Sequence, residues 1–133
     1  MKVAIYGVWH VHAVDYAKVA LEHAEVLGFY EKDDALAQAF AEKFDMPRFE
    51  SAEALLASDA EGVIVCSATS DHAEDMIRIA KAGKSIFTEK VLALTDGDCA
   101  RVEQAVLENN VNFTISLVHK YRASRLKVKT DSF

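Results

Sequence analysis

Four short stretches of this 133-residue chain carry residues whose types and spacing suit chemistry. The first is Gly7-Val8-Trp9-His10-Val11-His12, set after an apolar run and before a helical pattern. A glycine there permits a tight turn, and the start of a helix offers backbone amides to an anion such as a phosphate. Glu31-Lys32 is the second, 24 residues beyond Gly7. A carboxylate at the end of a strand can accept hydrogen bonds from both hydroxyls of a ribose and repel a 2′-phosphate, which an adjacent lysine could instead accommodate. The third is Cys66-Ser67-Ala68-Thr69-Ser70-Asp71-His72, and the fourth is Glu89-Lys90, a carboxylate and an ammonium side by side after an apolar run. His10 and His12 have the spacing of a metal pair, but no third ligand lies near them, so no metal is expected.

The elements that must position these groups can be read from periodicity. Short apolar runs at residues 3–6, 26–30, 62–66, 85–88 and 111–117 alternate with helical patterns at 12–23, 33–44, 51–58, 71–82 and 95–109. Such alternation implies βαβ units, an α/β fold with a parallel sheet covered on both faces. Start and stop signals agree: Ser51 before Glu53 and Ala54, Asp71 with Glu74 three residues on as a capping box, and Gly83 just past a helix end. The natural strand order is doubly wound, 3-2-1-4-5-6, with Arg48-Phe49 as a short third strand. In that order the ligand crevice lies outside the carboxyl ends of the strands, and residues 7–12, 30–32, 66–72 and 88–91 share one rim. Gly7 then takes the first position of the Rossmann dinucleotide fingerprint G-x-G-x-x-G, while Trp9 and His12 stand where the other two glycines belong. Phe29, Phe40, Phe44, Phe87 and Phe113 fit core positions.

Composition narrows the function classes. The chain is 51% hydrophobic with one Pro and five Gly, enough for one well-filled core and too short for two large domains. A net charge of −6 argues against a nucleic-acid partner, whose phosphates need clustered Lys and Arg. The one basic cluster, residues 120–129, reads as a solvated helix or linker. Cys66 and Cys99 form no C-x-x-C pair, no leader opens the chain, and no run of about 18 apolar residues suggests a membrane span. A soluble, cytoplasmic setting is the expectation.

Three segments resemble the Gfo/Idh/MocA oxidoreductases. The Gly7 turn with His12 is similar to the family's G-x-G-x-x-H. Residues 63–72, Val-Ile-Val-Cys-Ser-Ala-Thr-Ser-Asp-His, are similar to its strand ending in A-T-P-N-x-x-H. Residues 82–91, Ala-Gly-Lys-Ser-Ile-Phe-Thr-Glu-Lys-Val, are similar to A-G-K-H-V-x-x-E-K-P, the family's most specific signature. The likeness runs from residue 1 to about 122. The chain departs from the pattern at Trp9 for the second glycine, at Ala68 and Thr69 for Pro-Asn, and at Val91 for the Pro after Glu-Lys.

The resemblance implies a dinucleotide-binding Rossmann domain over residues 1–120. Residues 121–133 would open a linker to a second α+β domain that is absent from the chain, which is then a truncated chain, a remnant or a stand-alone relative. It implies NAD, with NADP less favoured because of Glu31. Cofactor contacts fall to Gly7, Trp9, His10, His12, Glu31, Lys32, Cys66, Ser67, Ala68, Thr69, His72, Glu89 and Lys90. Lys90 is the one catalytic residue it implies, reaching the nicotinamide end and polarising the substrate's carbinol or carbonyl oxygen, with Glu89 as its brace. His119, Tyr121 and Arg122 either line the substrate site or form an exit turn. The expected function is the cofactor domain of an oxidoreductase moving a hydride between the nicotinamide and a sugar, polyol or related hydroxy compound. Such a fragment is inactive without the domain that supplies the substrate site and the proton-transferring group, and a homo-oligomer belongs to that longer form. The alternative is a non-catalytic nucleotide-binding or interaction module in which Trp9 has reshaped the pyrophosphate site. A methyltransferase is a weaker third reading, since Glu89-Lys90 has no role in methyl transfer.

Overall fold

β1 (Lys2–Tyr6) buries every residue from Val3 onward, because strands flank it on both sides and helices cover it above and below. The structure, a computed structural model, describes residues 1–9, 12–89 and 95–116. The chain continues through α1 (Ala13–His23), β2 (Glu25–Tyr30), α2 (Asp34–Phe44), α3 (Ala52–Leu56) and β3 (Gly62–Val65). After a 3-10 turn (Thr69–Asp71) come α4 (His72–Lys81), β4 (Ser85–Glu89), α5 (Asp96–Glu108) and β5 (Phe113–Ser116). All strand pairs are parallel, in the order β2-β1-β3-β4-β5. The expected strand at 48–49 reduces to one parallel bridge, Phe29 to Arg48. Counted with that bridge, the order is the doubly wound one. The last strand is shorter than the apolar run at 111–117 suggested, and Leu117 lies outside the described residues, as does the expected domain boundary.

Alternation along β1 builds two cores. Ile5 joins Ala13 and Ala17 of α1 and Ala37 and Phe40 of α2 on one face. Ala4 and Tyr6 join Leu55 of α3, Met76 and Ile79 of α4 and Val102 of α5 on the other. Ile5, Leu55 and Ile79 are fully buried, each contributing about 1.5–3 kcal/mol through apolar area removed from water. Phe29 and Phe40 are buried as expected, while Phe44, Phe87 and Phe113 are half-buried. No helix among the described residues is long and apolar enough to cross a membrane.

Helix ends follow the sequence signals with one exception. Side-chain oxygens of Asp33, Ser51 and Thr95 accept the amides of Leu36, Ala54 and Asp98 at 3.0, 3.0 and 3.1 Å, capping α2, α3 and α5. The capping box expected at Asp71 does not form. The 3-10 turn precedes α4, and the Asp71 carboxylate takes the Lys32 ammonium at 2.8 Å instead of a helix amide.

The Ala82-Gly83-Lys84 segment has a structural explanation. Gly83 adopts φ +78°, and the amides of Gly83 and Lys84 donate to the carbonyls of Ala80 (2.9 Å) and Ile79 (3.3 Å), a Schellman ending that favours glycine. Lys84 then buries its ammonium, 7% exposed, on the carbonyls of Ser58 (2.8 Å) and Ala60 (2.7 Å). These contacts tie the start of β4 to the turn before β3.

Candidate functional site at the strand ends

Gly7 turns the chain out of β1 at φ +83°, in the left-handed region. A Cβ there would lie 2.5 Å from Ser67 Cα, so the protein's own backbone already occupies the space that a side chain would need. The Gly7 amide donates to the Tyr30 carbonyl at 2.7 Å and the Cys66 amide to the Tyr6 carbonyl at 2.9 Å, lacing together the ends of β2, β1 and β3. α1 starts behind this turn at His12, whose side chain makes no cap.

Glu31 follows β2 and is 5% exposed. Its Oε1 accepts the Val8 amide and its Oε2 the Asp33 amide, each at 2.8 Å. Its carbonyl accepts from Arg48 Nη2 at 2.8 Å, and the same guanidinium pairs with Asp34 at 2.8 Å. The carboxylate is thus fixed between the β1 turn and the start of α2, with lone pairs remaining on both oxygens. Lys32 reaches across the crevice to Asp71, whose hydrogen bond and charge hold the ammonium pKa above its ordinary value.

Between these loops opens a cavity of about 400 Å³. Six of the expected site residues line it: Gly7, Trp9, Glu31, Lys32, Ser67 and Ala68. Trp9 is 54% exposed and forms part of the rim without filling the groove. Other expected residues stand off this wall. The Cys66 side chain packs in the α1–α2 core, where burial pushes its thiol up to about 12. His72 is buried in the first turn of α4, Thr69 is half-buried in the 3-10 turn, and half-buried His12 lies 3.6 Å from Asp15. Glu89 ends β4 at the same edge of the sheet. His10, Lys90 and the segment 119–122 lie outside the described residues, among which no cluster of three metal-ligating side chains occurs.

The sequence reading missed the far wall, built from Tyr6, Tyr30, Glu74, Asp75 and Arg78. Tyr6 and Tyr30 meet edge to face, their ring centroids 5.2 Å apart. Asp75 is 9% exposed on the α4 face that also buries Met76, Ile79 and Ala80, and an acid on an otherwise apolar stripe was the available signal. Burial raises its pKa, outweighing the nearby Ser67 and Tyr6 hydroxyls, which favour the charged form. The same burial raises the Tyr6 phenol, and the Asp75 charge adds to it. Acids dominate the lining. Its two cations are engaged, Lys32 with Asp71 and Arg78 with Glu53 at 3.1 Å.

Comparison with known proteins agrees with this geometry. The model of an oxidoreductase family with an NAD-binding Rossmann fold, GFO_IDH_MocA, matches residues 1–117. An uncharacterised oxidoreductase of Streptococcus pneumoniae serotype 4 is 37% identical over 91 residues, a match covering 68% of this chain and 24% of that protein. Two solved structures share the fold. UDP-N-acetylglucosamine 3-dehydrogenase GnnA from Acidithiobacillus ferrooxidans is 20% identical with a TM-score of 0.86, covering 100% of this chain and 42% of its own. The WlbA dehydrogenase from Chromobacterium violaceum, in complex with NADH and UDP-GlcNAcA, is 22% identical with a TM-score of 0.85, covering 98% and 39%. The chain therefore spans less than half the length of each. With the strand order, the Gly7 turn and the family match in agreement, the chain belongs to the GFO_IDH_MocA oxidoreductase family through its NAD-binding Rossmann domain.

Proposed function

We propose that this chain holds NAD in preference to NADP, as the cofactor half of a dehydrogenase acting on a sugar, polyol or related hydroxy compound. The observation that carries the reading is Glu31, a buried carboxylate fixed at the end of β2 by the Val8 and Asp33 amides, on the rim of a cavity rich in acids. Its spare lone pairs suit the two ribose hydroxyls, and its charge opposes a 2′-phosphate. The residues present fit a dinucleotide, since the rim also offers a left-handed glycine turn and an uncapped helix start. The amides of Gly7 and Val8 are already engaged by Tyr30 and Glu31, so the pyrophosphate falls to backbone beyond Val8 and to the start of α1.

When bound, the nicotinamide supplies the hydride acceptor or donor. Lys90, next after β4, polarises the substrate oxygen, and Glu89 braces it. Sugar and polyol substrates are favoured because the WlbA structure holds a UDP-sugar acid with NADH and GnnA acts on UDP-N-acetylglucosamine. The exposed position of Trp9 weighs against a module whose groove that residue has closed. Calorimetric titration tests the reading: NADH is expected to bind in the micromolar range and at least tenfold tighter than NADPH. Equal or tighter binding of NADPH would overturn the NAD preference.

A further inference from the structure

The cavity extends past Glu31 and Lys32 towards α4, where two polar groups face it without an adequate partner. Ser67 Oγ is buried and completes no hydrogen bond. Asp75 is nine-tenths buried, and among the described residues no cation forms an ion pair with it, since the Arg78 guanidinium goes to Glu53. A carboxyl in that position gains most from an N–H donor that arrives through the cavity. The rings of Tyr6 and Tyr30 stand beside it as apolar and π surface.

We infer that Asp75, with Ser67, reads the exocyclic amine of the cofactor's adenine, so that this wall selects a 6-aminopurine over a 6-oxopurine. The inference rests on the proposal that Glu31 holds the adenosine ribose, which puts the base beyond Glu31, against Tyr30, Ser67 and α4. A 6-amino group donates to the Asp75 carboxylate. A 6-oxo group would present a carbonyl oxygen to it, placing two acceptors face to face. Glu74 also lines the cavity, but its carboxylate is 62% exposed and lies 2.6 Å from Arg101, so it competes poorly for the amine.

The test compares NADH with reduced nicotinamide hypoxanthine dinucleotide, identical except for the 6-oxo group, by calorimetric titration of the whole chain. NADH is expected to bind about ten- to a hundredfold tighter, as one hydrogen bond to a charged group provides. Asp75→Asn, whose amide can donate to a 6-oxo group, should bring the ratio to one or below, and Glu74→Gln should leave it unchanged. Equal affinities in the unaltered protein overturn the inference, as does an Asp75→Asn variant that weakens both ligands equally. If Asp75→Asn does not fold, the ratio in the unaltered protein and its fall in Ser67→Ala decide the matter. Binding of neither dinucleotide would instead overturn the cofactor reading on which the inference rests, and the inference with it.

Discussion

The Glu31 carboxylate accepts the Val8 amide at 2.8 Å, joining the end of β2 to the turn that leaves β1. One side chain thereby sets the shape of the rim and presents an acid to whatever lies in the crevice. Glu31→Gln replaces one acceptor oxygen with a donor and sets it against a backbone amide. The variant should lose about 1–3 kcal/mol of stability, the cost of leaving a buried donor unsatisfied, and about tenfold in NADH affinity. Urea unfolding and calorimetric titration of the same preparation measure the two effects. Unchanged stability together with unchanged affinity would remove Glu31 from both roles.

Gly7 makes a second prediction, one that separates folding from binding. Gly7→Ala places a Cβ 2.5 Å from Ser67 Cα at φ +83°, a conformation that costs an L-residue about 1–2 kcal/mol before any clash. Thermal melting should fall by several degrees with or without cofactor. Lost binding in that variant would follow from a displaced rim, so Glu31 is the better probe of the ligand.

Much of this arrangement was legible in the sequence because its signals are local. The Gly83 stop and the Ser51 cap require only neighbouring residues, and both form as read. Asp71 misled because its carboxylate is claimed by Lys32, 39 residues away, and no local pattern reports such a competitor. The α4 wall was hidden for a related reason. Asp75 looks like an ordinary helical acid until the register of α4 on the sheet turns it inward with Met76 and Ile79. Cys66 and His72 were placed on the right loop, but strand and helix phase pointed their side chains into the core.

Asp75 also carries a pH signature. Its pKa is raised by burial, so the native state holds this proton to higher pH than the unfolded chain does. Stability associated with the group is complete below the ordinary carboxylate pKa and is lost as pH rises through the native value. Asp75→Asn lacks that loss. Its melting temperature relative to the unaltered protein should therefore rise between about pH 4 and pH 7, with the two converging at the acid end. A constant difference across that interval would show that Asp75 ionises with its ordinary pKa.

Trp9, the chain's one tryptophan, stands 54% exposed on the rim of the cavity and gives a direct reporter of occupancy. Titrating NADH while exciting tryptophan should quench Trp9 and transfer energy to the reduced nicotinamide. The curve should saturate at micromolar ligand, with a midpoint about tenfold higher in Glu31→Gln. No quenching and no transfer up to millimolar NADH, in a chain whose circular dichroism shows it folded, would contradict the dinucleotide site proposed for this rim.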